Sequence, residues 1–310
     1  MDGIDRPQPS AQLRSLAFAV AYRMLGSVAE AEDVVQEALL RLHGASGVEN
    51  PEAFLTTVTT RLAIDVLRSA RMRRETYVGA WLPEPLVGGE PDPAVRVEAD
   101  ETISLAFLTL LERLGPEERA VLVLREAFDW EFAEIAAALG KSEPACRQLL
   151  SRARRRIDAE RPRFEAEPEQ REALAARFLA AARGGDVEGL LALLAPDAVL
   201  TGDGGGKARA LPAPLVGAAS VARALAAFAR MGAEWGIVLE PVTVNGQPGV
   251  RARTGDGAVV SILGIDVEGG RVVRLHSIVN PDKLAHLGAV SEIALRPSAR
   301  RDRDRDAPPT

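Results

Sequence analysis

The spacing of apolar residues changes along the chain from helical intervals to strand-like runs, and this change limits the folds open to it. Up to about residue 157, apolar side chains recur at the three- and four-residue intervals of amphipathic helices. Four strand-like runs follow, at 236–244, 249–254, 258–267 and 271–279. Asn-Gly, Asp-Gly and Gly-Gly pairs separate them and favour hairpins, since these residues adopt positive φ. The pattern predicts helical domains followed by an α+β domain.

Proline- and glycine-rich or polar stretches predict where the domains begin and end. The predicted segments are a helical domain at 10–76, a linker at 77–98, a second helical domain at 99–160, a short linker at 161–169, an α+β domain at 170–290 and a disordered tail at 291–310. Within the α+β domain we expect helices at 170–183, 186–194 and 218–231 and a short strand at 198–201. The tail ends in an Arg-Asp repeat, a low-complexity sequence that favours disorder.

Composition excludes several classes of protein. No apolar run approaches the roughly 18 residues of a membrane-spanning helix, and residues 1–10 lack an apolar signal segment. Cys146 is the only cysteine, so no intramolecular disulfide forms, and three histidines make a Cys/His zinc site improbable. We therefore expect a cytoplasmic protein without a membrane partner, a metal or a cofactor.

Positive charge is concentrated in two short stripes, although the net charge of the 310 residues is −6. Five arginines lie between Arg61 and Glu75, and six cations lie between Lys141 and Arg156. Local patches rather than the overall sum decide where a phosphate backbone is attracted. The stripes are therefore candidate nucleic-acid contacts, with solvated helix faces as the alternative.

The second stripe falls in a helix-turn-helix pattern. A short helix at 131–139 is followed by Gly140, a capping Ser142 and a second helix. Cys146 and the other apolar residues of that helix recur at helical spacing and should face the core. The outward residues are Arg147, Gln148, Ser151, Arg152 and Arg155. Such side chains bond phosphates and base edges in a major groove, so this helix is predicted to read DNA.

Two further helix faces carry polar residues. Arg61, Asp65 and Arg68 share one face of a helix that begins at Asn50-Pro51, and such a face suits a phosphate backbone or an opened strand. Upstream, Ser27 to Glu30 form a capping box that starts another helix. Its outer face carries Asp33 and Glu37.

These segments together, in this order, resemble the extracytoplasmic-function sigma factors of RNA polymerase. The resemblance rests on five stretches, which read AEDVVQEALLRL at 31–42, LAIDVLRSAR at 62–71, LGPEERAVLVLR at 114–125, EIAAALG at 134–140 and RQLLSRAR at 147–154. The first is similar to the polymerase-binding helix, the second to the helix that opens the −10 promoter element, and the last three to the −35 domain. The match spans residues 10 to 160.

The resemblance implies partners and roles for particular residues. Asp33, Gln36 and Glu37 would bind the beta-prime clamp helices of core RNA polymerase, whose beta flap is a further expected contact. Arg61, Asp65, Arg68 and Arg71 would face the −10 element of promoter DNA. The outward residues of the second helix of the helix-turn-helix would read the −35 element.

The α+β domain resembles a SnoaL-like domain of the cone-shaped ketosteroid-isomerase type, so the match narrows to sigma factors with this fusion. Three stretches support it: Trp81, Leu82, Pro83, Glu84, Pro85 and Leu86 in the linker; Asp203, Gly204, Gly205, Gly206 and Lys207; and Asn280, Pro281, Asp282, Lys283 and Leu284. The resemblance implies that this domain modulates sigma activity in cis. We expect the second and third stretches to hold the first, with an anion-binding glycine loop as the alternative.

Two rival functions stay open at this point. A catalytic domain could use Asp203, Asp266 and His276, since Arg274, His276, Ile278 and Asn280 alternate onto one strand face that could be the concave one. The pocket could instead hold a small-molecule ligand. The second rival is a helix-turn-helix repressor with a ligand domain, which does not explain the segment at 31–42. We expect no enzyme, because sigma factors perform no covalent chemistry.

Overall fold

The computed structural model describes residues 11–74, 77–88, 103–157 and 168–295, with the side chains of 70–74 and of Pro168 excepted. The chain divides into two compact units. The first comprises residues 1–75, 90–103 and 107–161, and the second comprises 76–89, 104–106 and 162–310. No helix within the described ranges is both long and apolar enough to cross a membrane.

Three helices of the first unit pack on one another. They are α1 (Ala11–Leu25), α2 (Val28–Gly44) and α3 (Pro51–Arg74). The Ser27 hydroxyl caps α2 by accepting a hydrogen bond from the Glu30 amide at 3.2 Å. Asn50 caps α3 in the same way through the Ala53 amide at 3.0 Å, so both predicted helix starts are correct. Helix α3 continues three residues beyond its predicted end at Arg71.

The remaining helices of this unit form the helix-turn-helix region. They are α4 (Leu105–Leu111, whose first two residues belong to the second unit), α5 (Pro116–Ala127), α6 (Phe132–Leu139) and α7 (Glu143–Ile157). Gly140 ends α6 with a left-handed φ of 63°, a conformation that glycine adopts without a steric penalty. The side chains predicted to face the core from α7 are all buried, among them Cys146. Burial raises the pKa of the Cys146 thiol, as expected for a core cysteine.

The second unit is an α+β domain around one six-stranded sheet. Its helices are α8 (Pro168–Gly184), α9 (Val187–Leu193), α10 (Ala218–Glu234) and α11 (Pro281–Leu284); its strands are β1 (Leu194–Asp203), β2 (Leu215–Val216), β3 (Val238–Val244), β4 (Gln247–Arg253), β5 (Val259–Glu268) and β6 (Arg271–Ile278). The strand order is β2-β1-β6-β5-β4-β3. Strands β3 to β6 form the predicted antiparallel meander, whereas β1 runs parallel to β6.

Each face of the sheet has its own apolar core. Helices α8, α9 and α10 cover one face, where Phe178, Leu190 and Leu225 pack with strand residues. On the other face, Leu82 and Val87 of the linker, together with Leu284, cover Ile262 and Ile278. The linker is thus part of the second unit's core, because it buries apolar side chains that would otherwise lie against water.

Three local features differ from the sequence-based expectation. Strand β1 is ten residues long rather than four, and the two-residue strand β2 escapes prediction because two residues carry no periodicity. Residues 291–295, predicted to be disordered, are ordered: Leu295 is buried and bridges Ala208, and the Ala294 carbonyl accepts from the Arg209 amide at 2.9 Å. The Arg-Asp repeat itself lies outside the described residues.

Candidate functional sites

The outer face of α2 presents the predicted polymerase-binding residues to solvent. Asp33, Gln36 and Glu37 are all exposed. Glu37 pairs with Arg41 one turn later at 2.8 Å, the i,i+4 arrangement anticipated from the sequence. Leu40 lies on the same face and is 68% exposed. Sequence analysis missed Leu40, because helical spacing alone does not show that an apolar residue remains uncovered.

Helix α7 presents its five predicted recognition residues to solvent. Arg147, Gln148, Ser151, Arg152 and Arg155 are exposed, while the opposite face is buried. The Arg147 guanidinium pairs with Glu143 at 2.9 Å and lies 4.7 Å from the centre of the Phe132 ring, so it is partly oriented. Gln148 makes no hydrogen bond through its side chain within the described part of the chain. This amide is therefore available to a base edge.

The basic face of α3 is engaged within the first unit. The Arg61 guanidinium donates to the carbonyl oxygens of Ala138 at 2.7 Å and Ala137 at 3.4 Å, at the C-terminal end of α6. Such carbonyls attract cations because they lack helical partners. Arg68 pairs with Asp65 at 3.4 Å and with Glu117 at 3.2 Å. The side chain of Arg71 lies outside the described set.

A buried arginine links three helices of the first unit, and sequence analysis did not single it out. Arg119 donates to the carbonyl of Met24 at 2.7 Å, the carbonyl of Leu111 at 2.6 Å and the carboxylate of Glu112 at 2.7 Å. Burial lowers its pKa to about 9, which still leaves the group cationic near neutral pH. Arg119 lies in the motif at 114–125, but the sequence does not show which carbonyl groups it binds.

In the second unit, the linker at 77–88 is held by the carboxylate of Asp203, which is fully buried. One oxygen accepts from the Tyr77 hydroxyl at 2.5 Å. The other accepts from the Leu82 amide at 2.8 Å and from the Lys283 ammonium at 2.7 Å. Lys283 also donates to the Leu82 carbonyl. We call these contacts, with those of the glycine loop and Asn280, the linker-docking site.

Aromatic and amide groups complete the linker-docking site. The Lys283 ammonium lies 4.1 Å from the centre of the Trp81 ring and 5.2 Å from that of Tyr77, within range of cation–π attraction. Asn280 donates to the Tyr77 hydroxyl at 2.9 Å. Burial and the neighbouring Asp203 carboxylate raise the pKa of Tyr77 above its ordinary value, so the phenol stays a hydrogen-bond donor.

The loop at 204–206 fits the linker-docking site because its three glycines have no side chains. Gly205 has a φ of 55°, and a Cβ there would lie 2.2 Å from the Asn280 side-chain nitrogen. Its amide donates to Asp203 at 3.0 Å. Lys207 pairs with Asp282 at 2.6 Å. The loop thus bonds Asp203, the carboxylate that also binds the linker. Its docking role, with anion binding as the alternative, stays a prediction.

The rest of the linker follows the sheet edge. Leu86 exchanges two hydrogen bonds with Asn245: its amide donates to the side-chain oxygen at 2.9 Å, and its carbonyl accepts from the backbone amide at 2.8 Å. His286 lies 2.9 Å from the Pro85 carbonyl. The buried linker residues are Leu82, Pro83, Glu84, Pro85, Leu86 and Val87. All three quoted stretches of the SnoaL-like fusion thus meet at one place.

The suggested acid–base residues do not line the cavity of the domain, so the strand face of His276 is not the concave one, as it could have been from the sequence. Ser277 lines the cavity, and the alternation of the strand turns His276 and Ile278 to the opposite face. His276 lies 2.8 Å from Asp266, and both are buried, so His276 has a fixed partner that sequence analysis did not find. The sequence does not reveal this pair, because it depends on the register of the hairpin formed by β5 and β6.

The cavity lies between α8, α10 and the sheet, and has a volume of about 650 Å³. Its walls are almost entirely apolar, with Phe178, Leu225 and Leu263 among them. Arg183 and Arg209 are the only ionisable groups in the described lining. Among the described residues, no carboxylate or imidazole lines the cavity.

Known families match three parts of the chain. The Sigma-70 region 2 model matches residues 11–73, the Sigma-70, region 4 model matches 104–157, and the SnoaL-like domain model matches 175–279. These ranges correspond to α1–α3, to α4–α7 and to most of the α+β domain. The predicted architecture of two helical sigma domains and an α+β SnoaL-like domain is therefore correct.

Curated relatives match nearly the whole chain. The ECF RNA polymerase sigma factor SigJ of Mycobacterium tuberculosis is 41% identical over 282 residues, covering 87% of this chain and 90% of the relative. A probable ECF RNA polymerase sigma factor SigI from the same species is 35% identical, covering 89% and 93%. The crystal structure of the M. tuberculosis extracytoplasmic function sigma factor SigJ superposes with a TM-score of 0.74 at 37% identity, covering 89% of this chain and 96% of that chain. The chain belongs to the extracytoplasmic-function RNA polymerase sigma factors and carries a fused SnoaL-like domain.

Proposed function

We propose that this sigma factor binds core polymerase through the outer face of α2, opens the −10 element with α3 and reads the −35 element with α7. The clamp helices of beta-prime would meet Asp33, Gln36 and Glu37, with Leu40 as an apolar addition, and the beta flap would contact region 4. Promoter DNA and polymerase share the cytoplasm, so we infer that the protein acts there.

The observation that carries the DNA-binding assignment is the separation of faces on α7. The five predicted recognition residues are exposed, and the apolar stripe of the same helix is buried, namely Cys146, Leu149, Leu150, Ala153 and Ile157. This arrangement leaves one polar surface of a helix free to enter a major groove. An ordinary helical hairpin needs no such concentration of arginine, glutamine and serine on one face.

Two arginines of α3 must leave their present partners before they can contact DNA. Arg61 would have to leave the α6 carbonyls, and Arg68 would have to leave Glu117. Exposed ion pairs such as Arg68–Glu117 contribute about 1 kcal/mol or less. A DNA phosphate can therefore compete for Arg68 at little cost, and we infer that promoter binding draws this face away from its present partners.

We further propose that the fused domain modulates this activity in cis through the linker. The linker connects region 2 to region 4 along the chain, so its length in solution sets how far the two regions can separate. Docking it by Asp203, Lys283 and Asn280 shortens that free length. Undocking would lengthen the tether, and it would separate the Leu82 backbone from Asp203 and Lys283, which are both buried.

A catalytic role for the fused domain is disfavoured by its side chains. The described lining of the cavity holds no group that accepts a proton at neutral pH. Asp203 is committed to Lys283 and the linker, and His276 with Asp266 faces the other side of the sheet. General acid–base chemistry needs such a group within hydrogen-bond reach of the substrate.

Run-off transcription tests the proposal against a repressor. Purified protein is mixed with a duplex carrying its own upstream promoter, with and without core polymerase. We expect transcripts only with core polymerase, and little promoter binding by the protein alone, since its net charge of −6 opposes unaided DNA binding. Tight duplex binding without core polymerase, and no transcript with it, would favour the repressor.

A further inference from the structure

The cavity of the SnoaL-like domain has the size and enclosure of a ligand site. Its volume of about 650 Å³ falls within the range of roughly 300–1,000 Å³ for small-molecule pockets. Helices α8 and α10 supply Phe178 and Leu225, and strands supply Leu200 and Leu263. A wall this apolar selects a hydrocarbon body rather than a sugar or a nucleotide.

The cavity opens to solvent through a rim of large apolar side chains. Phe228, Met231, Trp235 and Val238 all line it, yet they are 44%, 38%, 39% and 51% exposed. Large apolar groups clustered at one opening mark a binding surface, whereas single exposed ones do not. Because they surround a concave space, a molecule that enters the cavity would cover them.

Two arginines line this apolar cavity, and they differ in their side-chain partners. Arg209 is exposed, and its guanidinium has no ion pair or hydrogen bond in the described part of the chain. Arg183 differs, because it donates to the Leu239 carbonyl. With no carboxylate in the described lining, an anion entering here would meet one arginine free to form a charge-assisted hydrogen bond.

We propose that the cavity binds a monoanionic amphiphile, such as a medium-chain carboxylate, with its hydrocarbon chain inside and its anionic group on Arg209. The rim residues pack against the hydrocarbon chain where the cavity opens to solvent. The use of this molecule as a signal rests on the proposed cis modulation, whereas its binding does not. The anion is the source of orientation, and the apolar wall is the source of affinity.

Calorimetric titration of the full-length protein with octanoate, decanoate and dodecanoate, below their micelle concentrations, tests the proposal. We expect affinity to rise about fourfold for each added CH2 group, as for a chain buried in an apolar wall. Dodecanol, with the same chain and no charge, should bind about tenfold more weakly than dodecanoate. Equal binding of the two, or no binding of dodecanoate, would overturn the proposal.

Two arginine variants assign the anion site. Arg209→Gln should weaken dodecanoate binding about tenfold and leave dodecanol unchanged, since only the charged contact is lost. Arg183→Gln is the matched control and should change dodecanoate binding less than Arg209→Gln. Ser261→Phe, which fills the cavity from β5, should abolish binding of both ligands while circular dichroism checks the fold. The reverse order of the two arginine effects would refute the assignment.

The same samples test two other possible occupants of the rim, a second copy of the chain and a membrane. Sedimentation velocity should show a monomer whose state does not change with dodecanoate; a dimer dissociated by Trp235→Asp would mean that the rim binds a second copy and would overturn the proposal. Co-sedimentation with phosphatidylglycerol vesicles but no binding of monomeric dodecanoate would overturn it in favour of a membrane. None of these measurements contains polymerase or DNA, so their failure is distinct from failure of the proposed sigma function.

Discussion

At the scale of single residues, Lys283 and Asp203 decide whether the linker stays docked. Both are buried, and both also bond the backbone of Leu82. The attraction between two buried charges offsets the cost of removing them from water only while both are present. Loss of one partner leaves the other charge without compensation, so this pair couples the loop after β1, the turn at α11 and the linker.

The substitution Lys283→Met should release the linker. An unpaired buried carboxylate costs about 3–5 kcal/mol, so amide exchange at Leu82 should accelerate by at least about 100-fold. Lys207→Met is the control, because it removes a lysine from an exposed pair in the same neighbourhood, worth about 1 kcal/mol or less. Hydrogen–deuterium exchange of the full-length protein measures both. Equal exchange in the two variants would contradict a central role for Lys283.

At the scale of elements, the loop that joins β1 to β2 works through its glycines. We expect Gly205→Ala to loosen the linker-docking site, because the left-handed φ costs about 1 kcal/mol or more and the new methyl group would displace Asn280. Gly255→Ala is the matched control, since nothing lies within 4 Å of a Cβ at that turn. Limited proteolysis within 77–88 reports the difference. If residues 77–88 are equally protected from the protease in both variants, the loop accommodates the methyl group and the prediction is wrong.

Helix α7 should carry promoter specificity in its outward side chains. Gln148→Ala removes an exposed amide suited to base edges, so transcription from the cognate promoter should fall about 5- to 150-fold, corresponding to about 1–3 kcal/mol. Arg154→Ala is the control on the same helix, because Arg154 pairs with Glu126 at 2.9 Å. Run-off transcription and footprinting measure the change. A loss for Arg154→Ala but not for Gln148→Ala would contradict the predicted reading face.

At the scale of the whole molecule, the chain combines a promoter-recognition unit with a domain that holds part of the connecting chain. A version ending at residue 165 lacks Asp203, Asn280 and Lys283, and therefore lacks the linker-docking site. We expect both versions to support run-off transcription, with more transcript from the shorter one because its linker is free. If the full-length protein supports transcription and the shorter version does not, the fused domain activates or supports the sigma regions. That result would disprove the proposal that the fused domain restrains them.

Sequence predicted the architecture well wherever local patterns carry the information. Helical spacing and caps located α2 and α3, and the apolar stripe of α7 identified its buried face, including Cys146. Glycine pairs located the hairpins. Sequence patterns did not reveal contacts between distant residues. The partners of Arg119, the pairing of His276 with Asp266 and the face that His276 occupies all depend on packing or strand register.

The division follows from the range of the interactions involved. The helices, the hairpins and the order of domains follow from local sequence, because they depend on neighbours within a few residues. The sigma function follows from whole motifs, through their resemblance to a family. Folding places Asp203 at the centre of the linker-docking site and leaves Arg209, beside an apolar cavity, without a side-chain partner among the described residues. Those facts arise from residues brought together over more than 50 positions, where burial and charge act through space rather than along the chain.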